Sequence, residues 1–265
     1  MDLSATLAAN LFGYAAPSTG GDAASAIAML KRATATGAQA KGVALEQKDP
    51  VVITALAQFN KAIANAKDLK SALADPRVLA VLLPGVGMAD QIPYPGLAQR
   101  ALLADPTAKT GILTQVDSRW KTAATTLGLF GKDLSALKDP TLQQTLTKNY
   151  VSYQYQKSLD AQQPGMSDAL YFINNAAAQA GNVYNVMGDA ILRRVVTGSL
   201  ELPAELAVQP IQDQAKAITS RLPMSKLTDP QQVYKIAQRY LMVTAENPPA
   251  TTTPDIATLA MSLRA

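Results

Sequence analysis

Aspartate stands directly before proline at five places in this chain: Asp49-Pro50, Asp75-Pro76, Asp105-Pro106, Asp139-Pro140 and Asp229-Pro230. Proline at the first helical position gives up only an N–H that has no partner there, and its fixed φ already suits the helix. The aspartate before it accepts hydrogen bonds from the free N–H groups of the first turn, and its charge favours the positive end of the helix dipole. Five such pairs predict five helix starts. Each carboxylate could also be a catalytic group, but capping explains all five completely.

The segments beyond the pairs have helical period. Val52, Leu56, Phe59 and Ile63 recur at spacings of four, three and four, which lines one face of a helix. Leu142, Leu146, Tyr150 and Tyr153 repeat the pattern after Asp139, as do Val233, Ile236, Tyr240 and Val243 after Asp229. An Ala-rich helix is predicted from about Asp22 toward Glu46, weakened at Gly37 and Gly42. No stretch alternates apolar and polar residues with β-branched or aromatic enrichment, so no strand is required. Breakers punctuate the rest: Pro84, Gly85 and Gly87; a rigid turn at Pro93-Tyr94-Pro95-Gly96; Gly128 and Gly131 after the Trp120 helix; and Pro164-Gly165.

At 265 residues a helical core can bury most of its apolar surface without a metal or a disulfide. Apolar residues make up 48% but aromatic ones only 5%, so Ala, Leu, Val and Ile must fill that core. Charged residues are 17%, under the usual quarter or so. The surface is therefore rich in uncharged polar residues and Ala, which cost less to desolvate on assembly. A plain Ala-rich bias gives the same figures.

Histidine and cysteine are both missing. That excludes Ser-His, Cys-His and thiolate chemistry, His or Cys zinc sites, and disulfides. The net charge is +4, and the basic residues are scattered, as at Lys31-Arg32 and Arg193-Arg194, without the clustering that nucleic acid needs. Gly85-Val86-Gly87 lacks the third glycine and the preceding strand of a dinucleotide loop, and Gly131-Lys132 lacks the spacing of a P-loop. On a helix, Glu201 and Glu205 would stand one turn apart on a polar face, which reads as solvated charge. Tyr150, Tyr153, Tyr155 and Trp120 form the largest aromatic group and read as packing residues, because no basic groove accompanies them. No catalytic, cofactor-binding or metal-binding residue is assigned. The expectation is a protein that is not an enzyme, holds no cofactor and takes no small-molecule substrate.

The chain also echoes itself. Residues 67–75 can be laid over 181–189, so that Val183, Met187 and Asp189 take the places of Leu69, Leu73 and Asp75. Ser135-Ala136-Leu137-Lys138-Asp139-Pro140 likewise echoes Ser225-Lys226-Leu227-Thr228-Asp229-Pro230, and ten residues beyond each proline stands a tyrosine, Tyr150 or Tyr240. Two diverged copies of one helical unit account for this; chance similarity between capped helix starts is the competing account.

The ends carry stripes of their own. Leu3, Leu7, Leu11 and Tyr14 share one face ahead of the loop from Pro17 to Gly21, and Ile256, Leu259 and Leu263 share one beyond a stiff linker holding Pro248, Pro249 and Pro254. These seven residues are the candidate interaction surface. Met1-Asp2 puts an acid where a secretory signal needs cations, and Asn10, Gly13 and Pro17 interrupt the uncharged run of residues 3–21. The expectation is a soluble protein made in the bacterial cytoplasm without such a signal and without an integral membrane segment.

From Lys48 to about Glu246 the sequence resembles a bacterial domain-of-unknown-function family, DUF1217. The features that carry the resemblance are Asp68-Leu69 with the run from Leu73 to Leu79, the run from Leu103 through Asp105-Pro106 to Trp120 and Leu127-Gly128, the stretch Ala169-Leu170-Tyr171-Phe172, and Leu227-Thr228-Asp229-Pro230 with Tyr240. Ala190 departs from the pattern where a proline would complete a further pair. The resemblance implies an all-helical fold and association with the flagellum, and it supplies no catalytic residues. The segment Leu7-Ala8-Ala9-Asn10-Leu11 with Gly13-Tyr14 is also similar to the N-terminal segments of flagellar rod and hook proteins, which pair their two terminal helices.

The sequence therefore predicts an all-α multi-helix bundle, two diverged copies of one unit with amphipathic terminal helices. Its parts are an N-terminal helical segment (1–47), a first helical unit (48–160), a second (161–246), and a proline-rich linker with a C-terminal helix (247–265). The expected function is non-catalytic: a flagellum-associated structural or assembly protein that binds flagellar proteins or itself through helices. The alternative is a cytosolic chaperone or regulator of a flagellar export substrate.

Overall fold

The computed structural model describes residues 22–116 and 118–246. Among the described residues there are thirteen α-helices, five short 3-10 segments and no strand. The all-helical expectation holds. The seven residues of the candidate interaction surface all lie outside the described residues.

Four of the five Asp-Pro pairs start helices as expected. Asp49 heads α3 (Pro50–Asn65), Asp75 heads α5 (Pro76–Gly85), Asp139 heads α8 (Pro140–Gln162) and Asp229 heads α13 (Pro230–Glu246). Each carboxylate accepts a backbone N–H of the first turn at 2.7–2.9 Å. The fifth pair does not start a helix. Asp105 accepts the N–H of Thr107 at 2.8 Å in the same way, but the chain then turns through Lys109 and Thr110 to Gly111, whose φ is 122°. The cap is present without the apolar period that would propagate a helix beyond it.

The predicted Ala-rich helix from Asp22 to Glu46 is two helices, α1 (Ala23–Ala33) and α2 (Ala38–Glu46). Gly37, at φ 76°, supplies the left-handed residue at the break. Gly42 stays helical, and its role is space: a Cβ there would stand 2.1 Å from Cε2 of Tyr155.

The described residues fall into two compact units. Unit one gathers residues 22–38 and 158–246, and unit two is residues 39–157. In sequence order these boundaries stand at 38/39 and 157/158, beside the 47/48 and 160/161 read from the pattern alone.

Unit two holds α2, α3, α4 (Leu69–Ala72), α5, α6 (Pro95–Leu102), α7 (Ser118–Leu127) and most of α8. Helix α3 lays its Val52, Phe59 and Ile63 face on α5, which is buried almost throughout. Full burial of each such side chain contributes about 1.5–3 kcal/mol. Trp120 of α7 is 1% exposed, and Tyr150 and Tyr155 of α8 are buried, as expected of packing residues. Gly85 lets α5 approach Leu146, and Asn149 Nδ2 donates to the Gly85 carbonyl at 2.9 Å. The proline turn after Pro93 is shorter than expected: Pro95 already opens α6.

Unit one holds α1, α9 (Met166–Gln179), α10 (Val183–Gly188), α11 (Ala190–Ser199), α12 (Ile211–Thr219) and α13. Helix α13 is its hub, packing on α1, α9 and α11. Asp189 caps α11 without a following proline, accepting from the N–H groups of Ile191 and Leu192 at 2.9 and 3.0 Å. No helix among the described residues is long and apolar enough to cross a membrane.

Candidate functional site

Unit one contains a charged centre built on the hub helix. Asp168, in the first turn of α9, is 8% exposed. Its Oδ2 accepts from Arg194 Nη1 of α11 at 2.6 Å and from the Tyr240 hydroxyl of α13 at 3.1 Å. One carboxylate thus ties together three helices that also pack on one another. A mostly buried charge is tolerable only when paired and hydrogen-bonded, and Asp168 is both. Burial, then the Asp168 charge and hydrogen bond, push the Tyr240 hydroxyl pKa well above its ordinary value.

Beside it, Asp160 near the end of α8 reaches over the Pro164-Gly165 turn. Its Oδ1 accepts the Ser167 N–H at 2.8 Å, and its Oδ2 accepts the Ser167 hydroxyl. Asp160 is therefore a cap supplied from the preceding helix, because Gly165 at the cap position of α9 has no side chain to give. Burial, opposed by the Ser167 bonds and joined by the Asp168 charge, pushes the Asp160 carboxyl above the usual carboxylate range. Asp160, Asp168, Arg194 and Tyr240 line a cleft of about 520 Å³. Every carboxylate oxygen in it that points at a neighbour is held by a cap or an ion pair.

The second feature is a groove of mixed polarity. It is lined by Ala190, Arg193 and Arg194 of α11, by Ile211 and Ile218 of α12, and by residues of the 3-10 segment Ala204–Val208. Its volume is also about 520 Å³. Val208 and Ile211 beside it are 88% and 51% exposed. No carboxylate lines it; of its two arginines, Arg194 is the one paired with Asp168, and Arg193 Nη1 donates to the Met187 carbonyl at 2.9 Å.

The loop that enters the groove differs from expectation. Glu201 and Glu205 do not share a helix face. Glu201 follows the end of α11 in the left-handed region, at φ 51°, and Glu205 lies in the 3-10 segment. The N–H groups of Glu201 and Leu202 donate to the carbonyls of Gly198 and Thr197, each at 3.0 Å, which closes the end of α11. The Glu201 carboxylate pairs with Arg239 of α13 at 2.9 Å.

In unit two the remaining perturbed carboxylates have local causes. Hydrogen bonds from the Arg77 guanidinium hold Asp75 below the usual range, and Arg119 does the same for Asp90. Among the described residues, no three His, Cys, Asp or Glu side chains converge on a possible metal position. Sequence reasoning missed the Asp168 centre. Arg193-Arg194 and Tyr240 were visible as residues, but nothing in their spacing shows that α9, α11 and α13 converge.

The comparisons fit this architecture. The pattern of the family described as "Protein of unknown function (DUF1217)" matches residues 85–233, which takes in α6 to α12 and the start of α13. Asp68 to Leu79 and Tyr240, which carry part of the resemblance, lie outside that match. The crystal structure of a protein from Agrobacterium tumefaciens is similar in fold, with a TM-score of 0.62 over 89% of this chain and 99% of that one, at 18% identity. No curated protein matches the chain. The chain belongs to DUF1217, a family of proteins of unknown function.

Proposed function

We propose that this is a non-catalytic structural or assembly protein of the bacterial flagellum that acts by helix-mediated association through its two end segments. One observation carries the association: α1 and α13, the first and last described helices, pack against each other in unit one. Both apolar end stripes therefore leave the same unit. The exposed Val208 and Ile211 on that unit support the same reading, because exposed apolar surface marks interaction sites. The flagellar assignment rests on what the family resemblance implies. The test is fractionation of hook–basal bodies from the source bacterium. The protein is expected in that fraction; its confinement to the cytosol in complex with an export substrate would favour a chaperone instead.

We infer as well that the two units are diverged copies. In unit two, Asp68 caps α4 and Asp75 caps α5; in unit one, Asn182 caps α10 and Asp189 caps α11. A 3-10 segment with a fully buried leucine, Leu137 or Leu227, then leads through an Asp-Pro pair into a long helix with a buried tyrosine, Tyr150 or Tyr240. The measure is superposition of α3, α4, α5 and α8 on α9, α10, α11 and α13 in that order. A fit no better than with the order shuffled would overturn the duplication.

A further inference from the structure

We propose that unit two carries a docking cleft for an acidic, partly apolar segment of a partner protein. The inference goes beyond the end segments and gives association a second, charged contact. Residues 39–157 carry fourteen Lys and Arg against nine Asp and Glu, a surplus of +5. Residues 22–38 and 158–246 carry nine of each. The positive charge of the chain therefore belongs to one unit. Among the described residues the ion pairs are made by arginines, and the lysines make none.

Three of those lysines meet at one place. Lys67 and Lys70 flank the start of α4, Lys132 precedes the 3-10 segment Leu134–Lys138, and α4 packs on that segment. All three are exposed, and all three line one cleft of about 550 Å³. Two carboxylates share the lining, and both are turned onto their own backbone. Asp68 Oδ1 accepts the Ser71 N–H at 2.6 Å, and Asp133 Oδ1 accepts the Ser135 N–H at 2.9 Å. The ammonium groups have no such engagement, and they outnumber the carboxylates. Buried Leu69 and half-buried Leu103 and Leu134 supply the apolar part of the lining.

That lining selects the occupant. Free ammonium groups attract carboxylates and phosphates alike. The leucines beside them give an apolar side chain a surface to cover, which an inorganic ion cannot use. A nucleic-acid strand is held by aromatic platforms, and no aromatic residue is among those lining the cleft. A lipid surface is met by an apolar face that enters it, whereas these leucines lie in a concavity. A protein segment that carries acids around an apolar residue matches both halves of the lining.

The test uses the full-length protein and a short fluorescent peptide of mixed Glu and Leu, read by anisotropy. Lys67→Gln, Lys70→Gln and Lys132→Gln together should weaken its binding about tenfold, as expected of three exposed charge pairs. The same loss of charge at Lys48, Lys61 and Lys148, exposed residues of unit two outside the lining, should weaken it less than about twofold, because distant charges are screened. A cleft that fails leaves the end segments and the flagellar assignment untouched, since neither uses these lysines. Equal losses in the two variants would show that the net charge of the unit attracts acids, and would overturn the proposal. So would a native protein that ignores the peptide, or one that binds single-stranded DNA or phosphatidylserine vesicles more tightly. Lys67 and Lys70 also attract the Asp68 charge. If steadying that cap were their whole role, the cleft variant would lose thermal midpoint while its peptide affinity matched the control variant, which would overturn the proposal too.

Discussion

Tyr240 lies against the backbone of Gly198 so closely that a Cβ there would stand 2.9 Å from the ring's Cδ2. Gly165 approaches the same ring, where an added Cβ would stand 3.0 Å from Cε1. The hydroxyl of that ring donates to Asp168, so two glycines and one carboxylate fix where α13 crosses α9 and α11. In an ordinary helix, Gly→Ala stabilises by about 0.5–1 kcal/mol. Here the sign should reverse. Gly198→Ala is expected to destabilise by about 1–3 kcal/mol through overpacking, read from chemical denaturation. Gly42→Ala, facing Tyr155, should do the same in unit two. A stabilising result at either position would mean that the ring moves aside freely.

Asp160 gives a pH signature. Burial raises its folded pKa above the ordinary 3.8, so the folded state holds the proton more tightly than the unfolded chain. Its contribution to stability is full below 3.8 and is lost as pH rises through the folded value. Asp160→Asn keeps an acceptor for the Ser167 N–H but carries no charge. The carboxylates with lowered pKa, such as Asp75, are common to both proteins and cancel in the difference. The stability of Asp160→Asn relative to the native chain should therefore improve between about pH 4 and about pH 7. Parallel curves, or the opposite slope, would refute the assignment.

The legible part of the fold is the local part. A cap and its proline are neighbours, so four helix starts were legible in the Asp-Pro pairs, and period three-and-four marked the faces of α3, α8 and α13. Asp105 shows the limit: the cap formed, and the residues after it did not sustain a helix. The Asp168 centre was not legible, because Arg194 is 26 residues and Tyr240 is 72 residues away along the chain. Only packing brings them together. Asp160 was hidden differently, as a mid-helix acid that caps the next helix across a turn.

Glu201 occupies a position that glycine fits better. A left-handed residue other than glycine costs about 1–2 kcal/mol, while an exposed ion pair such as Glu201–Arg239 is worth about 0–1 kcal/mol. Glu201→Gly should raise stability by up to about 1 kcal/mol, measured by thermal or denaturant unfolding. If it instead lowers stability, the Arg239 pair outweighs the backbone strain.

The end segments give the prediction that bears most on function. Leu3, Leu7, Leu11 and Tyr14 lead into α1, and Ile256, Leu259 and Leu263 come after α13, two helices that pack on each other. If the stripes were ordinary core, removing them would expose several side chains' worth of apolar contact, at about 25 cal/mol per Å². For a chain of this size each 1 kcal/mol moves the midpoint by about 2–4 °C, so a core role would show as a fall of well over 5 °C or so. A stripe that serves association with a partner or a second copy contributes much less to the stability of the single chain. Deleting residues 1–16 and 255–265 should therefore shift the thermal midpoint by no more than about 2–4 °C while abolishing self-association or partner capture. A large fall in the midpoint, with association intact, would show that the stripes complete the bundle and that binding lies elsewhere.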